Sequence, residues 1–162
     1  MVGINNGTIS NSYVGLNAVN YDDIGTSEER HSNVKEKYTT LTTYPFTLIG
    51  GKNISAFVNT NNGIVANCYA LGVGVINTGV IFEGTNTAGF VVDNSESGNI
   101  FNSMVEGIRV ENYRASQEVS LEGKGFIGGF VYQNSGKISN AYSNIYITTN
   151  SGGSGGFVYN ND

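Results

Sequence analysis

Apolar positions in this chain come in short bursts that end on small polar residues, and the same burst keeps returning. Its fullest form is Gly128-Gly129-Phe130-Val131-Tyr132-Gln133-Asn134-Ser135-Gly136-Lys137-Ile138-Ser139-Asn140-Ala141-Tyr142. Weaker copies run from Ser55 to Tyr69 and from Ala88 to Met104, and partial ones occupy Asn5–Tyr13 and Gly155–Asn161. Phe57, Phe90, Phe130 and Phe157 mark the copies, at steps of 33, 40 and 27 residues. An aromatic-aliphatic run followed by Asn, Ser and Gly reads as a strand entering a turn, with Gly63, Gly98 and Gly136 suited to positive φ. The stretch after each Gly alternates and predicts a second strand. A repeat of this kind predicts an all-β chain built as a β-solenoid, similar to a right-handed β-helix, with about four irregular repeats of 27 to 40 residues.

Facing is harder to assign than strand position. Ile9, Val65, Ile100 and Ile138, with Tyr13, Tyr69, Met104 and Tyr142, are expected to stack as the apolar core. Strict alternation then places Asn11, Asn67, Asn102 and Asn140 on that same inner face. Either these amides form an inward hydrogen-bonded ladder, or a bend between the Ile and the Tyr changes which side faces in. The ladder is favoured, because Asn holds this position in all four copies while its neighbours vary. Cys68 aligns with Ser12, Ser103 and Ala141, so it reads as a small residue facing a tight interior rather than as a nucleophile. The segments around Val73–Ile76, Val80–Phe82, Val105–Val110, Glu118–Glu122 and Ile145–Thr149 are expected to be the strands that close each repeat.

Residues 1–162 read as a single repeat segment, interrupted by an excursion over 15–52. Asp22–His31 is charged and turn-rich, and Val34–Tyr44 is strand-like, ended by the only proline, Pro45. A hairpin arm is expected there. Val2 aligns with Val58 without a preceding Phe, and Phe157–Asn161 stops before its Gly. The segment is therefore expected to belong to a longer array, with neighbouring repeats as its partners and unpaired ends that associate end to end.

Composition narrows the function classes. Only 13% of residues are charged, against roughly 25% in an average globular protein. The formal net charge of −5 argues against nucleic-acid binding, which needs a basic stripe. The chain has no apolar run long enough to span a bilayer as a helix, so no membrane insertion is expected. With one Cys and one His, His31, neither a zinc site nor a base-assisted nucleophile can be assembled. Asp22, Asp23, Glu28 and Glu29 could offer oxygen ligands, yet the spacing of a calcium loop is absent. Glu106, Glu111, Glu118, Glu122 and Asp93, with Arg109 and Arg114 nearby, read as a solubilising face rather than as a paired-carboxylate site. The Gly pairs precede strands, not helices, so close backbone packing explains them better than phosphate binding. No enzyme activity, metal or cofactor is expected. Tyr132 and Tyr159 occupy matching positions and predict a small aromatic stripe; with Tyr38 and Tyr44 of the excursion, they are the candidate binding surface.

The pattern Gly-Gly-Phe-Val-x-x-Asn-Ser-Gly-x-Ile-x-Asn-x-Tyr at 128–142 resembles the GLUG repeat of bacterial surface and secreted proteins. Phe stands where that repeat has Leu, and Asn59, Val92 and Tyr132 stand where it has Gly after Val. The resemblance covers about half of the chain. It implies a β-solenoid scaffold in a long bacterial protein. The expected role is a non-catalytic scaffold or adhesive segment of a large secreted or surface-displayed bacterial protein, with a host glycan or host protein as the candidate ligand. A structural or translocation-related segment of a large bacterial toxin is the alternative, and a β-helix carbohydrate-active enzyme is the third reading. The resemblance carries no catalytic residues.

Overall fold

The structure, a computed structural model, describes residues 2–15, 47–50, 53–71, 74–77, 86–112, 126–149 and 152–162. The described chain is all-β, and every strand pairing in it is parallel. The strands in order are β1 (Val2–Asn5), β2 (Thr8–Ser10), β3 (Tyr13–Gly15), β4 (Thr47–Gly50), β5 (Asn53–Ser55), β6 (Val58–Asn61), β7 (Ile64–Ala66), β8 (Tyr69–Leu71) and β9 (Gly74–Asn77). They continue as β10 (Asn86–Ala88), β11 (Val91–Asn94), β12 (Asn99–Asn112), β13 (Phe126–Gly128), β14 (Val131–Asn134), β15 (Lys137–Thr149), β16 (Ser154–Gly155) and β17 (Val158–Asn161).

Three sheets result. One stacks β1, β6, β11, β14 and β17, and a second stacks β5, β10, β13 and β16. In the third, β12 pairs with β15 on one edge and successively with β7, β8 and β9 on the other. Beyond these lie β2, β3 and β4. Of the segments expected to close each repeat, 74–76 lies in β9, Val105–Val110 in β12 and Ile145–Thr149 in β15, while Val80–Phe82 and Glu118–Glu122 lie outside the described residues. The uneven 33-, 40- and 27-residue steps leave the register intact, because Val58, Val91, Val131 and Val158 pair directly. The expected excursion over 15–52 meets the sheet at both ends: Gly15 belongs to β3, and Thr47–Gly50 pairs with β9. Tyr38, Tyr44, His31, Pro45 and the Asp22–Glu29 carboxylates lie outside the described residues.

Two interior columns hold the stack together. Phe57, Phe90, Phe130 and Phe157 lie ring on ring, with centroids 4.7, 4.8 and 4.9 Å apart and planes within 11°. That spacing is the strand-to-strand distance of a sheet, so the stack follows from the pairing itself. At the same corner the Phe90 carbonyl accepts from both Phe57 N–H and Val58 N–H, and the Phe130 carbonyl likewise from Phe90 and Val91. The corner therefore satisfies its backbone donors between levels. The second column is polar. Asn5, Asn61, Asn94, Asn134 and Asn161 form an amide ladder in which each Nδ2 donates to the next Oδ1 at 2.7–2.8 Å. Asn61 and Asn94 are fully buried.

An inward ladder thus exists, but one corner earlier than expected. Asn11, Asn67, Asn102 and Asn140 have φ of 50°, 53°, 49° and 47°. They sit in the left-handed region, which Asn tolerates better than most residues. One such residue breaks the alternation, so the chain bends and the next side chain turns inward. Ser12, Cys68, Ser103 and Ala141 take the inner position, while Asn11, Asn102 and Asn140 are exposed and Asn67 is half-exposed. Outside, Asn67 still donates to Asn11 and Asn140 to Asn102. The bend, not the inward Asn, resolves the parity conflict. It also expels the Tyr column from the expected core: Tyr13 is 54% and Tyr142 50% exposed. Ile9, Val65, Ile100 and Ile138 do stack inward, joined by Val58, Val91, Val105, Ile127 and Val131.

The turn glycines also differ from expectation. Among the described glycines, positive φ is found at Gly152, not at Gly63, Gly98 or Gly136. Space explains them instead. A Cβ on Gly63 would lie 2.1 Å from the Gly7 carbonyl oxygen, and one on Gly136 would lie 2.3 Å from that of Gly98. Each level descends onto the turn below with no room for a methyl group.

Replacing the ladder residue Asn94 by Ala removes two buried bonds, leaving Asn61 Nδ2 only its Gly63 carbonyl and Asn134 Oδ1 without its ladder donor. The expected loss, read by urea unfolding, is about 2–4 kcal/mol. At the outer corner, Asn140→Gly should fall within about 0.5 kcal/mol of the parent and Asn140→Val should lose about 1–2 kcal/mol. A Val variant as stable as the Gly variant would refute the left-handed corner.

Candidate functional site

The bend at Asn11, Asn67, Asn102 and Asn140 builds a feature that repeats on the outside of the molecule. Two residues further along, Tyr13, Tyr69, Met104 and Tyr142 pair in register across β3, β8, β12 and β15. They form a ridge climbing four levels, at roughly 4.8 Å per level. Tyr13 and Tyr142 are the most open; Tyr69 and Met104 are half-buried between them. Alternation alone could not reveal this ridge. The available signal was the Asn itself, a residue suited to the left-handed region, followed by a column of small residues.

The inner side of the same corner is closed. Ser12 Oγ donates to the Ser10 carbonyl at 2.9 Å, Cys68 Sγ to the Ala66 carbonyl at 3.2 Å and Ser103 Oγ to the Phe101 carbonyl at 3.0 Å. Each small side chain thus caps the carbonyl two residues before it, and the Ala66 and Phe101 carbonyls also accept from the Asn11 and Asn67 N–H groups of the neighbouring level. Burial pushes the Cys68 thiol up, outweighing the opposing pull of hydrogen bonds to the Ser12 and Ala66 backbone. A fully buried, protonated thiol with its hydrogen committed is a packing element, as expected.

The other candidate positions come together only in part. Tyr132 and Tyr159 stack at 5.4 Å with planes 6° apart, so the expected stripe is present. Tyr159 also leans on Phe126, at 5.1 Å and 35°, and its ring lies over Gly153, where a Cβ would come within 2.8 Å. One side of this pair is therefore packed against its own sheet, and burial with the neighbouring Tyr159 raises the Tyr132 hydroxyl. It offers less open surface than the Tyr13–Tyr142 ridge. Phe57, Phe90 and Phe130 are interior, and Phe157, on the last level, is 37% exposed.

Among the described residues no three His, Cys, Asp or Glu converge as metal ligands would. Glu106 and Asp93 lie on different sheets, β12 and β11. Asp93 stands between Thr60 and Gln133 on the neighbouring strands, and burial holds its carboxyl above the usual range. Both of these register partners are neutral. No family model, curated protein or solved structure matches this chain.

The Asp93 environment sets a pH dependence. A carboxyl whose folded value lies above its unfolded one costs stability when ionised; that cost is present at neutral pH and fades as pH falls through the folded value toward the ordinary range near 3.9. Asp93→Asn is therefore expected to raise the urea midpoint at pH 7 and to lose this advantage toward pH 3. An Asn variant no more stable than the parent at pH 7 would contradict the assignment.

Proposed function

We propose that this chain is a non-catalytic β-solenoid segment of a large secreted or surface-displayed bacterial protein, and that it presents the Tyr13–Tyr69–Met104–Tyr142 ridge as an adhesive surface. The observation that carries the reading is the repetition of that ridge on the outside while every interior column is closed. Support for the solenoid comes from the in-register columns: Phe on Phe, Asn on Asn and Ile on Val recur level after level in three parallel sheets. Support for the bacterial surface comes from the likeness of the 128–142 pattern to GLUG repeats, whose Gly, Ile, Asn and Tyr positions recur from level to level here.

The chemistry of the ridge favours a neutral glycan. Tyrosine offers a flat apolar face and a hydroxyl on a side chain with few rotatable bonds. The Asn11, Asn67, Asn102 and Asn140 amides, one bend away along the same strands, each retain donor and acceptor capacity beyond their mutual bonds. Tyr, Met and Asn carry no charge, so nothing in this column would attract or repel an ionised ligand. A host protein surface is the competing ligand, and the same assay distinguishes the two.

The immobilised protein, probed with neutral oligosaccharides and with host extracellular-matrix proteins, should retain the oligosaccharides. The double variant Tyr13→Ser/Tyr142→Ser should bind at least about fivefold more weakly with an unchanged circular dichroism spectrum. Equal retention by the variant, or retention of matrix protein alone, would remove the glycan reading.

A further inference from the structure

The Tyr ridge differs from the other aromatic columns in how its rings are held. Phe57, Phe90 and Phe130 lie ring on ring, and Tyr132 stacks on Tyr159 with planes 6° apart, so those faces cover one another. Tyr13 and Tyr69 pair in register through their backbones, yet no ring contact joins them. Their faces are therefore not closed off by each other. Met104 follows on the next level with a flexible apolar side chain, and Tyr142 with a ring that is 50% exposed.

Two properties repeat together along this column. The apolar platforms recur at the strand spacing, about 4.8 Å, because their strands are in register. Beside them run Asn11, Asn67, Asn102 and Asn140, exposed or half-exposed, each two residues before the platform of its own level. A ligand that uses both must itself repeat along the stack axis, with a flat apolar face and a hydroxyl-bearing rim on every unit. A hexose ring with equatorial hydroxyls has that build: its axial C–H groups make the faces apolar, and its hydroxyls lie round the edge. Joined through equatorial bonds, such rings form a straight chain whose units follow one another at an interval close to the strand spacing. An axial bond in each link coils the chain away from a straight ridge.

Other linear polymers meet this surface less well. Single-stranded nucleic acid also stacks on aromatic rows, but its phosphates need cations. Tyr, Met and Asn supply none, and the chain carries a formal net charge of −5. A peptide strand needs free backbone groups to pair with. Beneath the ridge β8 is already paired with β3 and β12, and β12 with β8 and β15.

We infer that the ridge takes an unbranched chain of neutral, equatorially linked hexoses laid along the stack axis, one ring above each level. The inference rests on the reading of the ridge as a glycan surface and adds the linkage, the direction and the repeat. Met104 is the weak place in the row, since its thioether fills the column without offering a flat face. A Tyr at that position would complete the platform.

The test titrates the whole protein with cellobiose, cellotriose and cellotetraose, which are β-1,4-linked glucose chains, and with the α-1,4-linked maltotetraose. Affinity should rise at least about threefold with each sugar added to the β-linked series, and maltotetraose should bind at least about tenfold more weakly than cellotetraose. Met104→Tyr should tighten cellotetraose binding at least about threefold with an unchanged circular dichroism spectrum. Because that variant is expected to gain affinity, a folding defect cannot imitate the result. Equal binding of the two tetraoses, preference for maltotetraose, affinity independent of length, or no gain in Met104→Tyr would each overturn the inference and leave the glycan reading standing. Binding of neither series would remove both.

Discussion

One amide per level, buried at Asn5, Asn61, Asn94 and Asn134, holds this stack in register. The Phe column and the Ile/Val column are apolar, and apolar contact is non-directional, so either could tolerate a small slip between neighbouring strands. The amide ladder cannot. Asn61 and Asn94 have no exposure to water, and each finds its partners only if the levels above and below are aligned. Moving a strand by one residue would carry its amide to the outside and leave two others unpaired in a dry interior, an error that apolar packing would not offset. The same amide also closes the turn that follows, since Asn5 Oδ1 accepts from Gly7 N–H and Asn61 Oδ1 from Gly63 N–H. Register and turn are therefore set by one side chain.

How much of this was legible in the sequence depended on whether a residue's role is set locally or by the level beneath it. The Phe column, the Ile9–Val65–Ile100–Ile138 column, the pairing of Val2 with Val58, and the Tyr132–Tyr159 stack could all be read from matching positions in repeated motifs. Asn134-Ser135-Gly136 was recognisable as a turn, but the reason for its Gly was not. Positive φ is a local property and was the natural expectation, whereas the observed cause is the Gly98 carbonyl of another level. Asn134 itself looked like turn chemistry and proved to be the ladder.

The exchange of roles between the two Asn columns shows where period-two reasoning fails. It assumes a continuous strand from Ile138 to Tyr142, and secondary structure does run unbroken through that stretch. One residue at φ 47° inside it is enough to invert every facing assignment downstream. The candidate site is the direct product of that inversion. Tyr13 and Tyr142 face outward only because Asn11 and Asn140 precede them by two residues, and small Ser12 and Ala141 take up the interior instead. Interior chemistry at this corner and along the ladder is correspondingly plain: a capped thiol, capped hydroxyls and paired amides.

The amide ladder also has a direction. Every Nδ2 points toward the C-terminal levels and every Oδ1 toward the N-terminal ones, so the side-chain dipoles add head to tail rather than cancelling. Each ladder amide therefore distinguishes the level before it from the level after it: it accepts from the first and donates to the second. A level inserted in the opposite sense would set donor against donor on one side and oxygen against oxygen on the other. The column is in this sense one-way, its order written in the sense of one side chain per level.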